Sequence, residues 1–80
     1  MAAFEVGIGA SALSEWAALP TRKARLAAHR ALSELQEAQF PRGSFRLVGD
    51  PVWRLVRDDV LVLYVATERG CFVTHIRPRR

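Results

Sequence analysis

Cysteine, methionine and tyrosine occur once each in the 80 residues, and so does lysine, at Lys23. A single cysteine, Cys71, closes no internal disulfide. The fold must therefore rest on a hydrophobic core, and a reducing compartment, the cytoplasm, is expected. No apolar run approaches the roughly 20 residues needed to cross a bilayer; the longest, Val60–Ala66, has the length of a strand. The opening "MAAFEVG" has no basic segment followed by an apolar one, so no signal peptide and no membrane partner are expected. The "GIG" at 7–9 is too short for a phosphate-cradling loop. His29, Cys71 and His75 lack the spacing of metal ligands, so no metal and no cofactor is expected. Cys71 and His75 are expected on one face of a strand but are four residues apart, roughly 13 Å at strand rise, too far for a nucleophile–base pair.

What remains is a chain that is half hydrophobic and a quarter charged, the balance of one globular domain spanning 1–80. Its charge is lopsided. Residues 1–40 carry four basic and four acidic groups, whereas 41–80 carry eight arginines against Asp50, Asp58, Asp59 and Glu68, so the whole net +4 lies in the second half. A GC-rich genome also favours arginine over lysine, so the clustering carries the argument and the residue type does not.

"FEVGI" alternates Phe4, Val6 and Ile8 against Glu5, Gly7 and Gly9, the pattern of a strand. Ser11 or Ser14 is expected to cap a short helix through Leu19 that buries Leu13, Trp16 and Ala17. After the Leu-Pro break, Thr21 is expected to cap a second helix. Its apolar stripe is Ala24, Ala28, Ala31, Leu32, Leu35 and Ala38. Strands then follow at 45–48, 52–57, 60–66 and 71–77, separated by "GDP", "DD" and "ERG". The short "DD" and "ERG" joints predict antiparallel hairpins. The expected fold is α+β: an N-terminal strand, a helical hairpin, then an antiparallel sheet, in the order β-α-α-β-β-β with room for one extra short strand.

The run Val60–Ala66 is apolar at every position, so the strand is hydrophobic on both faces. A strand buried on one side alternates; this one needs cover on the second. The arginines 54, 57, 77, 79 and 80 on neighbouring strands and the tail are expected to gather at one end of the sheet and attract polyanions. Trp53 and Tyr64 are expected nearby to stack on bases of single-stranded RNA. His75 shares a face with Arg77, and histidine is the side chain that ordinarily titrates near neutrality, which makes His75 a general acid–base candidate.

The ordered set "ALSEW", the Leu-Pro break, "RLVGDPVWRL", "VLVLY" and a last strand running into paired arginines resembles the RelE/ParE toxin superfamily across nearly the whole chain. The resemblance implies a RelE/ParE-like fold and a bacterial toxin silenced by a cognate antitoxin, in a toxin–antitoxin hetero-oligomer. RelE-like members cut mRNA in the ribosomal A site without a metal; ParE-like members poison DNA gyrase. Carried over by position, Arg54 matches the basic residue after the aromatic, and Arg79 or Arg80 the arginine beyond the last strand. Arg57, Arg77 and Arg80 become phosphate contacts, with Arg54, Arg79 and His75 catalytic. The nuclease set is partial: Leu61 stands where an arginine is usual, Val56 where a basic residue is, and no C-terminal tyrosine follows Arg80. Leu61, Leu63 and Val65 then form an apolar face for the antitoxin. The resemblance implies ribosome-dependent mRNA cleavage, or else gyrase inhibition or a decayed member that only binds its antitoxin.

Overall fold

The computed structural model describes residues 3–79. Two helices and five strands follow one another as β1 (Glu5–Ile8), α1 (Ala10–Ala17), α2 (Arg22–Glu37), β2 (Phe45–Arg46), β3 (Val52–Arg57), β4 (Val60–Ala66) and β5 (Gly70–Pro78). The α+β class is as the pattern predicts, and β2 is the extra short strand, two residues long where four were expected. The strands form one sheet in the order β1-β5-β4-β3-β2.

The sheet is mixed, not antiparallel throughout. β2 to β5 pair antiparallel, but β1 runs parallel to β5, Glu5 opposite Gly70 and Ile8 opposite Val73. Four alternating residues specify a strand, not its partner or direction; here the two-helix crossover returns the chain to the sheet and leaves β1 beside the last strand. Between β3 and β4, Asp58 sits in the left-handed region at φ 51°. Asp tolerates that conformation better than a bulky or β-branched residue would, which lets the chain reverse in two residues.

In α2, the Thr21 hydroxyl accepts the Ala24 N–H at 3.0 Å, the N-cap that the sequence predicts. Ala24, Ala27, Ala28, Ala31, Leu32 and Leu35 are buried. The small alanines let the helix axis approach the sheet closely. Ala38 falls just past the last turn and serves as its C-cap. α1 departs from expectation. Its N-cap is Gly9, with no side-chain cap, and Ser11 and Ser14 lie within the helix. Ala12 is buried and Trp16 half-buried, while Leu13 and Ala17 are exposed. The helix lies along β5 at the margin of the sheet, so only its narrow i, i+4 edge, led by the smallest side chain, meets the core.

Both helices serve the same core. Leu55, Val60, Val62, Tyr64, Val73 and Ile76 are fully buried in it, together with the alanines of α2. A register shift between Leu63 and Tyr64 pairs Leu63 with His75 and Tyr64 with Val73, so Thr74 has no partner across the ladder. This bulge reverses the parity of β5. Cys71 and Val73 face the core before it and Ile76 after it, which puts His75 on the opposite face from Cys71. The expectation that Cys71 and His75 share a face is therefore corrected.

Candidate functional site

Because side chains alternate along a strand, the buried residues of β3 and β4 fix which residues face away from the helices. Leu55, Val60, Val62 and Tyr64 are buried against the helices, so Val52, Arg54, Val56, Leu61, Leu63 and Val65 occupy the other, open face. The cross-strand register arranges that face in three rows. Phe45, Arg54, Leu63 and His75 form one; Val56, Leu61 and Arg77 form the second; Val52, Val65 and Phe72 form the third. Leu61, Leu63 and Val65 are half-buried by their row neighbours, as expected for a face that no helix covers.

At the β1 side the face continues over glycine. A Cβ on Gly7 would lie 2.9 Å from the Phe72 ring, and one on Gly9 3.2 Å from it. Side chains at these positions would displace Phe72, which is 41% exposed.

The candidate catalytic residues are separated. Arg54 and His75 flank Leu63 in the first row, two strand spacings or roughly 10 Å apart at the Cα atoms. Arg54 is paired to Asp50 at 3.5 Å through Nη2, and its buried Nη1 has no hydrogen-bond partner among the described residues. A buried unpaired donor is costly, on the order of 1–3 kcal/mol. His75 Nδ1 lies 3.1 Å from Glu15 Oε1 and 3.3 Å from Arg77 Nη2. Arg79 is exposed, and its backbone N–H is bonded to the Asp59 carbonyl at 2.6 Å. Arg80 lies outside the described residues.

Arg57 is not brought to the other arginines. It shares the parity of Leu55 and points to the helix side, where Nε and Nη2 donate to the two Glu34 oxygens at 2.8 and 2.6 Å. It also donates to the carbonyls of Val56 and Arg42, at 2.9 and 2.8 Å. These bonds hold the Glu34 carboxyl below its ordinary value despite partial burial, and raise Arg57 further. This side chain is engaged within the fold and cannot reach a phosphate on the open face.

The aromatics expected to stack on bases are also on the helix side. Trp53 packs on Phe40 with ring centroids 4.5 Å apart and carries the Arg46 guanidinium 5.5 Å above its ring. Tyr64 is fully buried, its hydroxyl donating to the Gln39 carbonyl at 3.2 Å, and burial pushes the phenol up. The open face presents Phe45 and Phe72 instead, both exposed.

One residue of the site carries no local signal in the sequence. Glu15 of α1 accepts from the Ile76 backbone N–H at 3.1 Å and from Arg77 Nε at 3.3 Å, and meets His75 Nδ1. It lies sixty residues away from those partners, and only the pairing of α1 with β5 brings them together. Burial opposes its ionisation, but the Ile76 N–H, His75 and Arg77 outweigh that and hold the carboxyl below its ordinary value.

No family model, curated protein or solved structure matches this chain. No helix among the described residues is long and apolar enough to cross a membrane.

Proposed function

We propose that this domain is the toxin component of a RelE/ParE-like toxin–antitoxin pair, and that it works by binding protein through the open face of its sheet. The observation that carries the reading is the composition of that face. Leu61, Leu63, Val65, Val52, Val56 and Phe72 form an apolar floor that the helices do not cover. An uncovered apolar surface of this kind marks an interaction site. Its cations are already balanced from within the chain, Arg54 by Asp50 and Arg77 by Glu15. Such a surface suits the antitoxin and, in the manner of ParE-like members, a protein target such as DNA gyrase. Antitoxin and target then compete for one face, which is how the pair is silenced.

A second reading, inhibition of translation by ribosome-dependent mRNA cleavage, has one observation in its favour. The row Arg54–Leu63–His75 sets a guanidinium and an imidazole on either side of a point where a phosphodiester could lie. Arg79 at the end of β5 would be its further phosphate contact. Against it stand Leu61 and Val56 where basic residues are usual, and the placement of Arg57, Trp53 and Tyr64 on the helix side.

Induced expression in a bacterium tests both. Growth arrest with ribosome-bound mRNA intact, abolished by Leu61→Glu, is the expected result. The same substitution should weaken the complex with the product of the adjacent gene at least about tenfold, or 1.4 kcal/mol. Transcripts cut in the ribosomal A site, with cutting lost in His75→Gln, would establish the nuclease reading instead. Absence of arrest together with unchanged partner affinity would reject the toxin assignment.

A further inference from the structure

β5 is nine residues long, but β1 covers its outer edge only from Gly70 to Val73. The last backbone contact of that pairing is the Gly9 N–H to the Val73 carbonyl at 2.9 Å. Beyond it the chain turns into α1, and among the described residues the outer edge of β5 from Thr74 onward has no strand beside it. This stretch begins at the bulge and carries His75 and Arg77. This half of β5 is held by β4 on its inner edge alone and begins at a bulge, so its outer edge needs another tie to fix the direction of both side chains.

We infer that Glu15 is a positioning residue that stands in for the missing strand and aims His75 and Arg77 across the open face. Oε1 accepts the Ile76 N–H, the bond a neighbouring strand's carbonyl would otherwise make, at 3.1 Å. The same oxygen meets His75 Nδ1 at 3.1 Å, and Oε2 accepts from Arg77 Nε at 3.3 Å. Three consecutive residues of β5 are thus tied to one carboxylate on a helix that itself packs on β5 and buries its Ala12. A carboxylate does this where a neutral side chain would not. It offers two oxygens with several lone pairs and a charge that favours a guanidinium.

The geometry also selects a tautomer. His75 Nδ1 has two neighbours, the Glu15 oxygen and Arg77 Nη2, which is itself a donor. One ring nitrogen cannot donate to the first and accept from the second at once. The carboxylate at 3.1 Å favours the proton on Nδ1, which leaves Nε2 as the ring's free acceptor.

The functional part of this inference rests on the open face being the working face; its structural part does not. In Glu15→Ala, the Ile76 amide should exchange hydrogen at least about tenfold faster, with the Val62 amide unchanged as an internal control. The His75 nitrogen resonances should lose the Nδ1–H form. Glu15→Gln keeps an oxygen for the Ile76 N–H, so Ile76 protection should stay within about threefold while the Arg77 Nε–H exchanges faster. If the alanine variant fails to fold, the glutamine variant decides. Unchanged Ile76 protection in the first, or unchanged Arg77 Nε–H exchange in the second, overturns the assignment. Growth arrest separates the two claims. Where Leu61→Glu abolishes arrest, retention of full arrest in Glu15→Ala with a loosened β5 reduces Glu15 to a structural tie. Where the wild-type chain causes no arrest, the toxin reading fails and the exchange and tautomer results alone judge Glu15.

Discussion

Arg57→Ala should destabilise the fold and leave any nucleic-acid affinity untouched, the reverse of what a phosphate contact would do. Arg57 and Glu34 form a two-pronged pair, at 2.8 and 2.6 Å, with side chains 22% and 32% exposed. Hydrogen bonds to charged groups contribute about 1.5–3 kcal/mol when buried, and surface ion pairs about 0–1 kcal/mol. A partly exposed pair with ideal fork geometry falls between, so the coupling between the two side chains should be about 1–2 kcal/mol. Truncating Arg57 also removes the donors to the Val56 and Arg42 carbonyls. The total loss should then be about 2–3 kcal/mol, from a stability on the order of 4–12 kcal/mol for 80 residues. Urea unfolding reads this as a midpoint shift of about 2–3 M, for a slope near 1 kcal/mol/M. A double-mutant cycle with Glu34→Ala isolates the coupling. The pair also has a pH signature. Glu34 is held below its ordinary value of 4.5. Its contribution is therefore fully present above that value and is lost as pH falls through the lower folded-state value. The gap between wild type and Arg57→Ala should accordingly narrow from pH 6 to pH 3. A midpoint within about 0.3 M of wild type at pH 7, or coupling below about 0.3 kcal/mol, would refute the reasoning.

Two further outcomes follow from the core. Burial pushes the Cys71 thiol up to about 11, so at pH 8 only about a thousandth of it is thiolate, and a disulfide reagent should label the native chain at least about a hundredfold more slowly than the chain in urea; comparable rates would place Cys71 at the surface. Tyr64→Phe should cost about 0.5–1.5 kcal/mol in urea unfolding, the worth of its bond to the Gln39 carbonyl, and a neutral substitution would show that the 3.2 Å contact contributes nothing.

The sequence was informative where one local rule acted and misleading where two competed. Breakers bound the strands from 52 to 66 correctly because Asp50, Pro51, Asp58 and Asp59 interrupt otherwise continuous β-formers. The open face of Leu61, Leu63 and Val65 was readable from parity alone. Parity could also have placed Arg57, since it lies two positions from Leu55; grouping arginines by charge rather than by face put it with Arg54. The same oversight put Trp53 and Tyr64 on the binding side. The parallel pairing of β1, the bulge at Thr74 and the reach of Glu15 were not readable. Each is a consequence of tertiary placement: nothing within four residues of alternation names a partner strand, and nothing near Glu15 announces the Ile76 N–H.

How the sheet ends decides what kind of partner the molecule can take. On one side β2 is only two residues long, and a strand that short offers little template for another chain. On the other, β1 is only four residues long, the Phe4 N–H just before it is bonded to the Gln36 carbonyl of α2, and where β1 stops, Glu15 occupies the Ile76 N–H of β5. Both edges are thus short or occupied among the described residues, so strand addition has little purchase. The open face is the contrary case: apolar in its floor along Leu61, Leu63 and Val65, with Arg54 lying between Phe45 and Leu63 in one row. On the proposed reading, a partner would dock by side chains laid across the rows, and its gain would come from apolar groups placed over Leu61 and Leu63. That requirement is one of spacing on a surface and can be met by a helix, whose i, i+3 and i+4 positions present such a patch.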